Sequence, residues 1–378
     1  MAPPPPPPVP LFAAAPSIKL VNNAPLQSAL NAAVTAVTVA GHPPPFGLTI
    51  VDLTGSGGSD DYPSAGFNAD VEHYAASMLK VACLYAAHAL RDLVQRFARA
   101  RNPANPDTLF RMLAAEVDPQ IAVCCPMVTG RAPNVRLPRW RDVFTASGSG
   151  GGMSVRFTNG YTTSLEKMIV PSDNAEAGRC IRGVGYAYLN GVMLKHGFFD
   201  ASSKTGVWLA GDYSGADVIT IPCANDTDTK QGSTTDTMAR LGVTILIGSV
   251  LPGASHGDMT DLLKKSAHGS DSSYFTRSEI AAALRLNGTQ VTHGKIGFGP
   301  LKSGRIVYSD LNLIADPPTG AGRYVVCYSN VDYNPYALDH VLTIFRETVR
   351  VYKSGASAPV TAPAAPTRAT APGASVTR

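Results

Sequence analysis

The chain has 378 residues, of which 44% are hydrophobic, so it can bury the core of one large domain or of two modest ones. Its 32 basic and 28 acidic side chains give a formal net charge of +4. No recognisable nucleic-acid-binding motif accompanies the arginine clusters, so we interpret them as solvated faces and expect no nucleic-acid partner. The best apolar run, Val243–Leu251, is far shorter than the roughly 18 residues of a membrane helix, so we expect no membrane span.

Both ends of the chain have the composition of disordered tails. Residues 1–16 are rich in proline, which predicts an extended segment without a core, and they lack the charged and apolar regions of a signal peptide. Residues 354–378 are rich in Ala, Pro and Thr. We therefore place the folded domain at residues 17–353.

The first half of this domain is predicted to be mainly helical. Residues 17–40 have the apolar spacing of a helix, and Phe46–Leu53 is typical of a strand. Tyr74–Ala100 predicts a long helix whose first half is apolar on nearly every side, as in a helix at the middle of a domain. Further helices are predicted at 106–117, 161–170, 175–196, 234–250 and 258–267.

The last part of the domain returns to strands. The predicted elements there are strands Thr289–Phe298, Ile306–Ala315 and Arg323–Asn330, followed by an amphipathic helix, Ala337–Tyr352. This order predicts an α/β chain of the α+β type, in which both ends of the chain build an antiparallel sheet around an all-helical insert. We assign the sheet subdomain to residues 17–72 and 287–353 and the helical subdomain to residues 73–286.

Lys80 stands among apolar residues on the predicted buried helix. A buried ammonium is costly unless it is paired or loses its proton, so a lysine retained there is a candidate base or has a partner across the core. Ser77 lies one turn nearer the N-terminus, where the helix dipole and free backbone N–H groups favour developing negative charge. The pair predicts a serine nucleophile with a lysine base.

The same Ser-x-x-Lys spacing occurs again at Ser164–Lys167. That copy lacks the apolar setting, and Glu166 indicates an exposed helix face. We therefore interpret it as a chance match.

The tripeptide Ser172-Asp173-Asn174 occurs once. All three residue types favour helix N-caps, so the tripeptide can simply begin the helix that follows. Alternatively, Ser172 is a second hydroxyl that passes a proton to a leaving nitrogen, while Asn174 orients both the lysine and a substrate amide. Both interpretations stay open at this point.

A lysine on a strand, two residues before a glycine, could complete such a site. Six lysines have this spacing: Lys195, Lys204, Lys230, Lys295, Lys302 and Lys353. Lys295 is favoured because it lies in a predicted strand that two further strands follow. Lys302, in the predicted hairpin turn, and Lys204, in a literal Lys-Thr-Gly, are the alternatives.

Taken in chain order, these motifs resemble those of the class A β-lactamases and their penicillin-binding relatives. The matching stretches are HYAASMLKVACLYAA at 73–87, YTTSLEKMIVPSDNAEA at 161–177, STTDTMARLGVTILIG at 233–248 and HGKIGFG at 293–299. The similarity covers about residues 46–352. It implies a β-lactamase/transpeptidase-like fold, with an antiparallel five-stranded sheet flanked by helices and an all-helical subdomain.

The resemblance also implies catalytic roles for four residues. Ser77 would attack the substrate carbonyl with Lys80 as base, and Ser172 would relay the proton. Lys295 would hold a substrate carboxylate and bias Ser172.

Three further residues are implied in substrate binding: Asn174, Gly297 and Phe298. The backbone N–H groups of Ser77 and Phe298 would form an oxyanion hole, which requires no particular side chain. The expected partner is a small β-lactam or a peptidoglycan-like acyl substrate. We expect no cofactor and no metal.

Two departures from the family pattern concern substrate binding and turnover. Ile296 replaces the threonine of Lys-Thr-Gly, which removes a hydroxyl that helps to bind the substrate carboxylate. Leu209 stands where the family has the glutamate that activates the deacylating water. Asp212 and Asp217 are possible substitutes, although loop caps or turn residues are the simpler interpretation.

The leading hypothesis is therefore a class A β-lactamase-like serine hydrolase that forms an acyl-enzyme on Ser77. The alternatives are a D-alanyl-D-alanine peptidase or esterase on the same scaffold and, from another class, an acylating sensor or a pseudoenzyme. The resemblance implies a periplasmic or secreted protein, and the sequence leaves its oligomeric state open.

Overall fold

The protein is described by a computed structural model. It covers residues 7–38, 45–54, 60–213, 215, 218–248, 250–268, 290–316, 322–333 and 335–355. Its strands are β1 (Lys19–Asn22), β2 (Gly47–Asp52), β3 (Asp61–Phe67), β4 (His73–Tyr74), β5 (Phe144–Ser147), β6 (Ser154–Phe157), β7 (Phe199–Asp200), β8 (Thr205–Gly206), β9 (Trp208–Leu209), β10 (Gln231–Ser233), β11 (Gln290–Pro300), β12 (Ile306–Asp316) and β13 (Gly322–Asp332). Its helices are α1 (Ala24–Val37), α2 (Lys80–Arg101), α3 (Pro106–Glu116), α4 (Asp118–Val123), α5 (Pro133–Arg136), α6 (Trp140–Val143), α7 (Asn159–Ile169), α8 (Asn174–Val184), α9 (Tyr186–Lys195), α10 (Thr235–Ile247), α11 (Gly253–His268) and α12 (Pro335–Ser354).

The main sheet draws its strands from both ends of the chain, as the sequence predicts, so the mixed α/β architecture is confirmed. Within the described residues it has six strands in the order β1-β3-β2-β13-β12-β11. The five strands from β3 to β11 pair in antiparallel fashion, and β1 adds a sixth that is parallel to β3. The predicted count of five is thus one strand short.

That sixth strand comes from residues that the sequence assigned to the first helix. Asn23 is extended, and its side chain accepts a hydrogen bond from the Leu26 N–H, so α1 begins only at Ala24. Pro25 follows in the first turn, where a missing N–H costs nothing. The residues before the cap are free to pair with β3 instead.

Two apolar layers cover the sheet. On one face, α1 and α12 pack against side chains such as Ile50 and Val326. On the other face lie α10 and the helical insert, with α2 at its centre: every residue from Lys80 to Leu90 is buried. The predicted central helix is confirmed in this respect, and it fixes the positions of the residues at its N-terminus.

The start of that helix differs from the prediction. His73–Tyr74 forms β4, Ala76–Leu79 forms a short 3₁₀ turn, and the α-helix begins at Lys80. Ala76 has a φ of 49°, a left-handed conformation that an α-helix cannot contain. The predicted helix over 175–196 likewise divides into α8 and α9, because Gly185 has a φ of 80°.

The insert is not entirely helical, contrary to the prediction. Three small sheets lie within it, formed by β4-β10-β9, β5-β6 and β7-β8. Their strands have two to four residues each, which is too short for an alternating pattern to be recognised. The division of the domain at residues 73 and 286 stays a prediction.

Residues 7–13 of the proline-rich N-terminal segment pack against the helices of the insert, contrary to the disorder predicted for them. Arg101 donates to the Pro7 carbonyl over 2.9 Å and Arg96 to the Pro10 carbonyl over 2.8 Å. The ring of Phe12 lies 5.5 Å from that of Tyr188. Proline has no backbone N–H to donate, but its carbonyl accepts well, and the arginines of α2 exploit this.

Residues 1–6 and 356–378, which include nearly all of the predicted C-terminal tail, lie outside the described residues. Among the helices that are described, none has both the length and the apolar character needed to cross a membrane.

Candidate active site

Lys80 is the centre of the site. It is the first residue of α2, its side chain is fully buried, and three oxygen atoms surround its amine. Nζ donates to the Ser172 carbonyl over 2.6 Å, to Ser172 Oγ over 3.1 Å and to Asn174 Oδ1 over 2.8 Å. The partner that a buried lysine requires is therefore the Ser-Asp-Asn tripeptide.

The tripeptide begins a helix and also contacts Lys80. Asp173 is the N-cap of α8, since its side chain accepts the Glu176 N–H over 3.0 Å. Ser172 and Asn174, on either side of the cap, turn toward Lys80. Ser172 has a φ of 62°, which is unusual for a residue with a side chain. The hydrogen bond from Lys80 to its carbonyl stabilises this conformation.

Lys295 is the lysine of the Lys-x-Gly spacing that reaches this group. It lies on β11, is fully buried, and donates from Nζ to Ser172 Oγ over 2.6 Å. Of the alternatives, Lys302 lies in the hairpin turn and pairs with Asp228 on the surface. Lys204 is exposed on the turn between β7 and β8.

Ser77 lies in the 3₁₀ turn that joins β4 to α2, and it is half-buried. Its carbonyl accepts the Lys80 N–H, so the two residues share one turn. The preceding residue, Ala76, is the one with the left-handed φ. Strained backbone beside a candidate nucleophile is common at functional sites.

Strand β11 passes directly against this turn. A Cβ on Gly297 would lie 2.3 Å from the Ala75 carbonyl oxygen and 2.7 Å from the Met78 nitrogen, so only glycine allows this approach. Phe298 follows with an exposed side chain that contacts Tyr308 and Tyr333. The backbone of Gly297 thus lies beside the turn that carries Ser77, and Phe298 is the next residue along the strand.

Burial controls the electrostatics of the site. Removal of Lys80 from water disfavours its ammonium form and lowers its pKa from 10.5 to about 7, although the charge of Asp173 opposes this shift. A substantial fraction of the amine is therefore neutral near pH 7 and can accept a proton. Asn174 is exposed, so its amide is accessible to a ligand.

Tyr213 is a site residue that the sequence analysis missed. The centroid of its ring lies 4.5 Å from Lys80 Nζ, and its hydroxyl donates to the Ala76 carbonyl over 3.2 Å. Tyr213 also makes a side-chain hydrogen bond with Ser77. It lies on a loop without periodicity, and no local feature of the sequence distinguishes it from other loop tyrosines.

The second Ser-x-x-Lys has a different environment. Ser164 is buried on α7 and donates to Glu176 Oε2 over 2.7 Å, whereas Lys167 is exposed on another face of the helix. Glu166 pairs with Lys265 at the surface. Ser164 and Lys167 therefore do not form a buried pair.

At and near the position of the family's glutamate, the described side chains are engaged elsewhere in the structure. Leu209 is buried in β9, and its backbone pairs with the amide of Asn190. The carboxylate of Asp212 is buried against Arg182 of α8. Asp217 lies outside the described residues. Ile296 points into the apolar layer under α1 and α12.

The sequence matches no protein-family model and no curated protein. Solved structures do match. A class A β-lactamase from Bacteroides cellulosilyticus has a TM-score of 0.50 at 13% identity, covering 88% of this chain and 99% of that one. The TLA-3 extended-spectrum β-lactamase has a TM-score of 0.50 at 11% identity, covering 87% and 98%. A mutant of PBP-A, in an acyl-enzyme complex with penicillin G, has a TM-score of 0.49 at 17% identity, covering 88% and 98%. The two β-lactamase structures with a TM-score of 0.50 show that the chain has the fold of the class A β-lactamases, as the order of its motifs predicts.

Proposed function

We propose that this protein is a serine hydrolase that forms an acyl-enzyme on Ser77 with β-lactams or related amide and ester substrates. The observation that carries the proposal is the convergence of two buried lysines, Lys80 and Lys295, on Ser172 Oγ beside the Ser77 turn. Two buried amines around one hydroxyl are costly to keep, and such an arrangement is typical of a catalytic site.

The proposed acylation accounts for every proton. Neutral Lys80 takes the proton of Ser77 as Oγ attacks the substrate carbonyl carbon. The backbone N–H groups of Ser77 and Phe298 stabilise the oxyanion. Ser172 then gives its proton to the leaving nitrogen and regains one from Lys80, which is neutral again when the acyl-enzyme is complete.

Substrate recognition in this proposal rests on charge and on the amide of Asn174. Lys295 attracts a carboxylate on the substrate and, through its bond to Ser172 Oγ, orients the hydroxyl that delivers the proton. The threonine hydroxyl of the family is missing at Ile296, so carboxylate binding depends more heavily on Lys295. A β-lactam and a peptidoglycan-like peptide both carry such a carboxylate.

One observation favours a second candidate, an acylating sensor that keeps its acyl group. The carboxylate of Asp212 is engaged by Arg182 and cannot serve as a free base for water. A peptidase or esterase on the same scaffold must activate water, and Asp212 does not supply a base for that step. By family resemblance we infer a periplasmic or secreted protein.

The test is covalent labelling. We expect benzylpenicillin to add one acyl group to the intact protein, and peptide mapping to place it on Ser77. Ser77→Ala should remove the adduct. Ser164→Ala, the matched control from the second Ser-x-x-Lys, should retain it. An adduct on Ser164 or Ser172, with Ser77 unmodified, would refute the proposal.

A further inference from the structure

Tyr213 has a fixed position over the Ser77–Lys80 pair. The residue before it, Asp212, is anchored twice, because its carboxylate pairs with Arg182 and its carbonyl accepts from Lys230 Nζ over 3.2 Å. A backbone hydrogen bond also closes the loop, since the Ala210 carbonyl accepts the Ile219 N–H over 2.7 Å. These contacts of the loop position the Tyr213 ring.

The ring and three acceptors together enclose the amine of Lys80. Ser172 supplies two of the acceptors and Asn174 the third, and the ring of Tyr213 lies 4.5 Å away as a further contact. An aromatic face also attracts the ammonium form. A water molecule that is to give a proton to Lys80 must displace one of these contacts.

The hydroxyl of Tyr213 cannot replace the missing carboxylate as a base. Burial raises the pKa of this phenol well above its ordinary value of 10, so it stays protonated at neutral pH. It acts instead as a donor to the carbonyl of Ala76, the residue with the left-handed φ. Tyr213 is thus a positioning residue for the turn as well as a cover for the lysine.

We propose that Tyr213 keeps water away from Lys80 and from the acyl ester on Ser77, and thereby prolongs the life of the acyl-enzyme. The inference rests on the proposed acylation of Ser77. In the step that it slows, a water oxygen bonds to the acyl carbon and the water proton passes to Lys80. The bond from the acyl carbon to Ser77 Oγ then breaks, and Oγ takes the proton from Lys80.

The test follows the benzylpenicillin adduct by intact mass after excess ligand is removed. In Tyr213→Ala we expect the adduct to disappear about tenfold faster or more, since general-base assistance to water is typically worth about 10² to 10⁴ in rate. Tyr213→Leu should also shorten its life, and provides a second reading if the alanine variant does not fold. Tyr213→Phe retains the ring, so its adduct should last as long as that of the wild type.

Tyr352→Ala is the control, because Tyr352 lies on α12, on the face of the sheet opposite to α2. It should leave the life of the adduct unchanged. Equal lifetimes in folded, acylated wild type and in Tyr213→Ala or Tyr213→Leu would overturn the role of Tyr213 alone. A wild-type protein that takes up no acyl group at all would overturn both this inference and the proposed function.

Discussion

A single buried amine shows how surroundings change the chemistry of a side chain. Lys80 would be a fully charged, solvated ammonium on a surface helix. Burial lowers its pKa to about 7, and the oxygens of Ser172 and Asn174 hold its nitrogen in place. Its amine therefore has the strength, near physiological pH, and the fixed position that the proposed base requires.

This pKa predicts the pH dependence of acylation. Only the neutral amine can accept the Ser77 proton, so the acylation rate should rise with pH through a midpoint near 7. Lys80→Ala should lose this ascending limb and acylate about 10² to 10⁴ times more slowly. The measurement is the rate of adduct formation by rapid quench from pH 5 to 9.

Lys204→Ala is the matched control, since this exposed lysine shares the Lys-x-Gly spacing and should leave rate and profile unchanged. If Lys80→Ala gave an unaltered profile, the assignment of the base would have to be abandoned.

Individual site residues were recognisable from the sequence where their chemistry contradicted their setting. A lysine in an apolar helix needs a partner, and the single Ser-Asp-Asn offered one. Tyr213 gave no such contradiction, because a tyrosine in a loop is ordinary. Its position depends on the anchoring of Asp212 by Arg182, a contact between residues 30 apart in the chain.

At the scale of elements, long and strongly patterned segments were predicted well and short ones poorly. Both ends of strands β11 to β13 and the C-terminal end of α2 were predicted to within about two residues. Helix α2 begins later than predicted, at Lys80 and not at Tyr74. Strand β3 carries Pro63 and Gly66, which are depleted in strands, and β1 has only four residues. Neither strand has a pattern of its own, since both are determined by pairing with neighbours in the sheet.

The N-terminal segment binds without apolar periodicity, so its sequence predicts disorder where the structure has contacts. Its carbonyl groups accept from Arg96 and Arg101, and one large side chain, Phe12, packs between Tyr188 and Gly191. A Cβ on Gly191 would lie 3.1 Å from the Phe12 ring. Composition alone gives no indication of such a docking site.

Phe12 should therefore contribute to global stability. We expect Phe12→Ala to lower the free energy of unfolding by about 1 to 3 kcal/mol, because a half-buried ring loses its contacts. Urea denaturation measures this change. Val123→Ala, at an exposed apolar residue of α4, is the control and should change stability by less than about 0.5 kcal/mol. Equal effects of the two substitutions would show that the segment does not stabilise the fold.

At the scale of the whole molecule, the site lies where three distant parts of the chain meet. The turn before α2 supplies Ser77, the start of α8 supplies Ser172 and Asn174, and β11 supplies Lys295. The groups that we propose for acylation all lie in this convergence. For deacylation, the described residues present Leu209 and the Arg182-paired Asp212, and neither is a free base.

We therefore expect deacylation to limit turnover of β-lactams. General-base assistance to the water is worth about 10² to 10⁴ in rate, or roughly 3 to 5 kcal/mol of barrier. Stopped-flow kinetics with a chromogenic cephalosporin should show a burst of about one equivalent and then a slow phase. Rapid linear turnover without a burst, lost in Asp212→Asn or Asp217→Asn, would show that this loop does supply a base.

The docked N-terminal segment also affects how far the molecule can open. Residues 7–13 bind the helices of the insert, and β1 begins at Lys19 on the edge of the sheet. The six peptide units between Ala13 and Lys19 can span at most about 20 Å. The segment therefore links the helical insert to the sheet over a short length of chain, with non-covalent contacts at both of its ends. Any separation of these sides beyond that length requires Phe12 to leave its site or β1 to unpair, so the segment limits how far the two sides can move apart.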